Sequence, residues 1–228
     1  MINDTSRPLV FLGSNYNIYK LYELCASVGY EVVGIIDDDY HSQGQFKDIP
    51  VIAQESQIAD YREQYQFICA TNWMPGSDAE RNRLKRQRLL DLMSELDLTT
   101  ATVVSNLAQV SGRARLGAGV IIDAFAMIEP DVTVGDHTVV SAYSVIGHNS
   151  IIGRNNAVQR YCLITSDVTT ENDVYFGLCS RVCRSHVTLQ QGTFIHPNIM
   201  LLRGTEKDEE VSLLGKDLRK VYQPVEIH

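Results

Sequence analysis

From Val104 to Met200 one residue in six is apolar in unbroken register: Val104, Val110, Leu116, Ile122, Ile128, Val134, Val140, Ile146, Ile152, Val158, Ile164, then Thr170, Phe176, Val182, Thr188, Phe194 and Met200. Fifteen of these seventeen are apolar, about twice the share that a chain with 44% hydrophobic residues would give by chance. Four places after them stand mostly small side chains, such as Ala108, Ala114, Ala126, Ser144, Ser150, Cys162 and Ser180; one place after, Gly, Ser, Asp or Glu recurs, as at Gly117, Asp123, Glu129, Gly135, Gly147 and Gly177. A period of six fits neither an α-helix nor a hairpin meander. It predicts a triangular coil: one short strand and one corner per hexad, three hexads per eighteen-residue turn, and turns stacked at the ordinary inter-strand spacing of about 4.8 Å so that the core runs through all of them.

Residues 8–75 follow another pattern. PLVFLG is a short apolar strand ending at Gly13; a helical stretch presents Leu21, Leu24, Cys25 and Val28 on one face; EVVGIIDDD is a second strand running into Asp37, Asp38 and Asp39. IPVI, a helical stretch near 55–64 and the strand FICAT complete an alternation that predicts a small parallel sheet of doubly wound type. In such folds the glycine after the first strand and the acid after the second meet a nucleotide, so Gly13, Ser14, Asp37 and Asp38 are the candidate contacts. GSNYNI lacks the G-x-G-x-x-G spacing, and an accessory domain with an ordinary turn is the competing reading. After Pro75-Gly76, residues 78–98 form a strong helix with Leu84, Leu89, Leu92, Met93 and Leu96 to pack; its basic cluster, Arg81, Arg83, Lys85, Arg86 and Arg88, reads as a solvated face in preference to a phosphate site. The expected parts are therefore 1–76, a Rossmann-like domain; 77–103, a connecting helix and strand; 104–203, the coil; and 204–228, a tail.

Charge narrows the partners. Twenty Lys+Arg against 28 Asp+Glu give a net −8 in 228 residues, which offers no positive field for nucleic acid. No apolar stretch approaches the roughly 18 residues of a membrane span, and five cysteines without framework spacing read as free thiols, so a cytoplasmic protein is expected.

The tandem hexad resembles the hexapeptide-repeat acyltransferases, whose fold is a left-handed parallel β-helix. The order of parts, with the phrase GYEVVGIIDDD ahead of an uninterrupted hexad helix, resembles the sialic acid O-acetyltransferase and bacillosamine or perosamine N-acetyltransferase group of bacterial sugar acetyltransferases. The resemblance implies acetyl-CoA as co-substrate, a nucleotide-linked amino-deoxysugar held by the first domain, a homotrimer with sites between subunits, and no metal. Sugar O-acetylation, and a non-catalytic scaffold that has kept the fold alone, are the alternatives.

Of six histidines, His148 in S-V-I-G-H-N-S-I-I-G resembles the family's base, and imidazole suits proton removal from an attacking amine near neutral pH. The family usually places an acid next; here Asn149 stands there and can position a ring without stabilising an imidazolium, a task for which another carboxylate would be needed. A second family histidine corresponds to Ala157. One coil after His148 comes Ser166, whose backbone N–H the resemblance assigns to the oxyanion. Gly177, in YFGLCS, is the expected cofactor contact, with Lys216 or Arg219 near the CoA phosphates in a closing segment where Asp217 replaces the family's proline. A zinc site of carbonic anhydrase type is excluded, because the gaps between His137, His148, His186 and His196 suit no three-histidine set.

Overall fold

The computed structural model describes residues 3–71 and 79–212. The chain divides after Val103 into two compact units.

In the first unit, β1 (Leu9–Leu12), α1 (Ile18–Ser27), β2 (Val32–Ile36), β3 (Gln45–Phe46), β4 (Ile49–Ala53), β5 (Gln66–Cys69) and α2 (Ala79–Glu95) follow in order. The sheet runs β3-β4-β2-β1-β5, all parallel except β3 against β4. Every residue of β1 and of β5 is buried, which is why β1 and, after Gln66, β5 read as continuous apolar runs and not as alternating ones. The stretch expected as a helix near 55–64 is a 3-10 helix, Glu55–Tyr61, started by reciprocal side-chain bonds between Gln54 and Gln57. α2, expected as a connector, packs into this unit's core, with Leu89, Leu90 and Met93 against Val10, Leu12 and Phe67.

The basic cluster of α2 is a solvated face at Arg81, Arg83 and Arg88, as expected, but Lys85 and Arg86 depart from that expectation. Arg86 is buried and donates to the Thr71 carbonyl at 2.8 Å; Lys85 sits between Asp37 and Asp39 at 2.7 and 2.8 Å; Arg88 pairs with the buried Glu55. Lys85 and Arg88 thus answer acids at the carboxyl end of β2 and beyond it, and Arg86 satisfies backbone carbonyls.

The second unit is the left-handed parallel β-helix, built from two-residue rungs in three walls. One wall stacks Gln109–Val110 up to Met200–Leu201, the next Arg115–Leu116 up to Thr188–Leu189, the third Val103–Val104 up to Glu210–Val211. The second residue of each rung points inward: Ile128, Val134, Val140, Ile146, Ile152, Val158 and Ile164 are all at most 1% exposed. At each corner one residue has positive φ, at 125, 131, 137, 143, 149, 155, 161, 167, 173 and 179, a conformation that Asn and Asp tolerate best and that here also carries Phe125, Tyr143 and Tyr161. The small residue after it turns into the wall. Where it is Ser or Thr it joins two coils: Ser144 Oγ donates to the Gln159 carbonyl at 2.7 Å and accepts from the Cys162 amide at 3.1 Å, so corner groups that would be orphaned in the core are satisfied.

The register is not unbroken, as the pattern had suggested. Positive φ steps from 179 to 186, seven residues, and Thr170 stacks on Leu189, Phe176 on Ile195 and Val182 on Leu201, nineteen apart. One extra residue at 183–185 widens that corner. The inward residues above it are therefore Leu189, Ile195 and Leu201, in place of Thr188, Phe194 and Met200.

Among the described residues no helix is long and apolar enough to cross a membrane, and no group of His, Cys, Asp and Glu is placed to hold a metal ion.

Candidate active site

His148 follows the rung Val145–Ile146 and precedes the corner residue Asn149, so its side chain leaves the wall at an edge and stays about half exposed. Eighteen residues on, Ser166 stands one coil above, and its Oγ lies 2.7 Å from the imidazole Nδ1. The coil below supplies Glu129, whose Oε2 accepts the His148 amide at 2.8 Å and lies 3.2 Å from the same Nδ1. The other ring nitrogen, Nε2, and the Ser166 amide have no hydrogen-bond partner among the described residues.

The stacking of His148 and Ser166 is as expected. Asn149 is not beside the ring: with φ of 57° it makes the corner itself, and its amide donates to Asp167 Oδ1 at 3.3 Å. Sequence reading missed Glu129. The signal available was an acid nineteen residues before the histidine, one coil plus one position, where stacked geometry brings a side chain up to the next backbone.

Gly177 lies at a different corner, and its lack of a side chain has a structural reason. A β-carbon there would come 2.5 Å from the Pro197 nitrogen and 2.7 Å from the His196 carbonyl carbon in the coil above. Gly135, Gly147 and Gly153 meet overlying backbone in the same way. Lys216, with Asp217 and Arg219, lies outside the described residues.

Of the four candidate contacts in the first unit, Ser14 alone lines a cavity of about 650 Å³ at the carboxyl ends of the strands, with Asn15, Tyr16, Asp39, Lys47, Arg81 and Lys85. Gly13, at φ of 72°, makes the turn after β1, and a β-carbon there would strike Thr71 and Leu89. Asp37 is fully buried, and its carboxylate accepts from Ser14 Oγ at 2.6 Å, from Lys85 Nζ and from the Asp39 amide. Asp38 turns the other way and caps the Glu55 amide at 2.8 Å. Asp39 takes the place on the cavity rim, where the Lys85 hydrogen bond and the charges of Lys85 and Arg81 hold its carboxyl below the usual range. Lys47 leans over the Tyr19 ring at 4.5 Å. The cavity thus offers cations, amides and aromatic faces together, a donor set suited to a nucleotide diphosphate.

Residues 113–148 match the bacterial transferase hexapeptide (six repeats). With the stacked rungs, this shows that the second unit is built of hexapeptide repeats. No curated protein sequence matches the chain. Among solved structures, the chain is similar to a variant of perosamine N-acetyltransferase from Caulobacter crescentus in complex with CoA and GDP-perosamine, at 20% identity over 90% of this chain and 93% of that one, TM-score 0.77. It is also similar to WeeI from Acinetobacter baumannii, at 13% identity over 92% and 98%, TM-score 0.75, and to the acetyltransferase domain of PglB from Neisseria gonorrhoeae, at 20% over 90% and 96%, TM-score 0.65. The expected two-part architecture, small α/β unit and then β-helix, is the one these proteins share.

Proposed function

We propose that the protein transfers the acetyl group of acetyl-CoA directly to the amino group of a nucleotide-linked (UDP-, GDP- or dTDP-linked) amino-deoxysugar, in the cytoplasmic part of bacterial surface-glycan synthesis. The observation that carries this reading is His148, an accessible imidazole with Nε2 unengaged, together with the unengaged Ser166 amide one coil above. As the sugar amine attacks the thioester carbonyl, Nε2 takes its proton, the Ser166 N–H stabilises the oxyanion, and collapse expels CoA as a thiolate that the imidazolium reprotonates. Support for substrate class comes from the perosamine N-acetyltransferase that binds CoA and GDP-perosamine, and from the cation-lined cavity of the first unit.

The chain's own nucleophiles argue against an acyl-enzyme. Cys162 is buried, burial pushes its thiol up, and it donates to the Gly177 carbonyl. Ser166 Oγ touches the histidine, but at the nitrogen that also faces Glu129; in a triad the orienting acid and the nucleophile sit on opposite ring nitrogens.

Thiol release from acetyl-CoA with nucleotide-linked amino sugars, and with hydroxyl-only analogues, tests the reaction. Release with the amine alone is expected; release with the hydroxyl acceptors alone would move the reading to O-acetylation. Failure to bind acetyl-CoA in calorimetry would leave a scaffold. The reading includes a homotrimer, in which flat walls of three β-helices close a ring and cover apolar surface such as the exposed ladder Phe125, Tyr143 and Tyr161, whose rings stack 4.9 and 5.1 Å apart. Light scattering at the mass of one 25.6 kDa chain would refute the trimer.

A further inference from the structure

We infer that Glu129 is the positioning residue of this site: from the coil below, it holds His148 in the tautomer with the proton on Nδ1 and so leaves Nε2 as the base. The inference rests on the reading of His148 as the base, and it replaces Asn149 in the orienting role.

Two oxygens approach Nδ1, Ser166 Oγ at 2.7 Å and Glu129 Oε2 at 3.2 Å. A hydroxyl can donate or accept, so Ser166 alone would leave either tautomer open. A carboxylate only accepts. Were Nδ1 unprotonated, its lone pair would face the anionic oxygen with no proton between them; with the proton on Nδ1 both oxygens are satisfied acceptors.

The carboxylate is fixed independently of the ring, because the His148 amide donates to the same Oε2 at 2.8 Å. The fold makes this geometry elsewhere. Glu171, at the same place in its hexad, accepts the Gln191 amide through Oε2 at 3.0 Å, twenty residues on across the nineteen-residue coil, as Glu129 reaches nineteen residues on across an eighteen-residue one. A glutamate one place after an inward residue therefore reaches the backbone one place beyond its stacked neighbour, whereas the shorter Asp123 at that place accepts from the Ala124 amide in its own coil. At Glu129 the residue reached is a histidine. Asn149 cannot take this part, since the corner turns its side chain toward Asp167.

The test reads the ring directly. With isotope-labelled histidine, magic-angle-spinning nitrogen spectra of the parent protein, at a pH where the imidazole is neutral, should show His148 Nδ1 protonated and Nε2 bare, the signal being assigned by its loss in His148→Ala. Glu129→Ala should move the ring toward the Nε2–H tautomer, as the Ser166 hydroxyl donates to Nδ1, and lower kcat by about 10- to 100-fold with KM for acetyl-CoA little changed. A parent spectrum with Nδ1 bare overturns the inference without need of a variant, and so does a Glu129→Ala protein with tautomer and kcat unchanged. If the tautomer behaves as stated while His148→Ala keeps full turnover, the base assignment fails and the positioning stands, so the two are separable.

Discussion

Gly147 lies directly beneath Ser166: a β-carbon on the glycine would stand 2.5 Å from the Ser166 amide nitrogen and 2.9 Å from its Oγ. The missing side chain thus leaves the room that the Ser166 amide and hydroxyl occupy above the glycine. Gly147→Ala must push backbone, not a flexible side-chain end, and overpacking of this kind costs about 1–3 kcal/mol. We expect it to lower kcat as well, through displacement of Ser166. Gly177→Ala meets an equally close contact, 2.5 Å from the Pro197 nitrogen, and should cost similar stability with kcat retained. Thermal melts beside steady-state kinetics check the pair; Gly147→Ala with parental kcat would detach the Ser166 amide from the reaction.

His148→Ala should reduce kcat by about 10²- to 10⁴-fold, the range for loss of a general base, with KM for acetyl-CoA nearly constant. The ring is half exposed and fills no core, so the melting temperature should hold. His186, also exposed, is the matched control; His196 is not, because its side chain is largely buried against the Glu210 carboxylate. Turnover that survives at His148 and vanishes at His186 would move the site.

Lys85 holds the first unit's buried acid. Lys85→Met leaves Asp37, fully buried, without its cation, and breaking such a pair costs about 3–5 kcal/mol. The pH dependence has a definite sign. Burial lowers the Lys85 value, but Asp37 and Asp39 outweigh it and raise it, so its contribution is whole below the ordinary lysine value and fades as pH rises through the folded one. Asp39, held down chiefly by its hydrogen bond from Lys85, contributes above its ordinary 3.8 and loses this as pH falls through its depressed value. The gap between parent and Lys85→Met in urea melts should therefore be widest at intermediate pH and shrink toward both ends; a gap flat across that range would contradict the assignment.

What could be read from the chain, and what could not, divides along physical lines. The hexad to Val182 is legible because each inward residue packs on its own kind one coil away, and the stacking of Ser166 on His148 follows from that count alone. The later slip is invisible to it, since Thr188-Leu189, Phe194-Ile195 and Met200-Leu201 are all pairs in which either member suits a core. The corner residues carry the missing signal: His186, Gly192 and Asn198, all at positive φ, are already one place late. Glu129 escaped because motif reading looks along the chain, whereas its partner lies across a coil. The acidic run after β2 escaped because three adjacent carboxylates go three ways, Asp37 into the core, Asp38 to a helix start and Asp39 to the cavity rim.

The slip itself supplies a last test. If one residue among Cys183, Arg184 and Ser185 is surplus to the eighteen-residue coil, deleting Ser185 should return the corner to six residues, keep His186 as its positive-φ residue and leave Leu189, Ile195 and Leu201 facing inward. Little packing changes, because Arg184 and Cys183 are exposed and Ser185 is only partly covered. Deleting Asn155 is the matched comparison. It removes a regular corner residue, at φ of 53°, whose side chain donates to Asp173 Oδ1 at 2.8 Å, and it pulls Asn156 and Val158, both at most 1% exposed, out of their places in the wall. A one-residue shift within a rung turns an inward side chain to solvent, so the coils above and below would lose their stacked partner. Thermal melts followed by circular dichroism should show the Ser185 deletion close to the parent and the Asn155 deletion strongly lowered or unfolded. Equal damage from both would mean that the nineteenth residue is part of the coil's design and not an insertion into it.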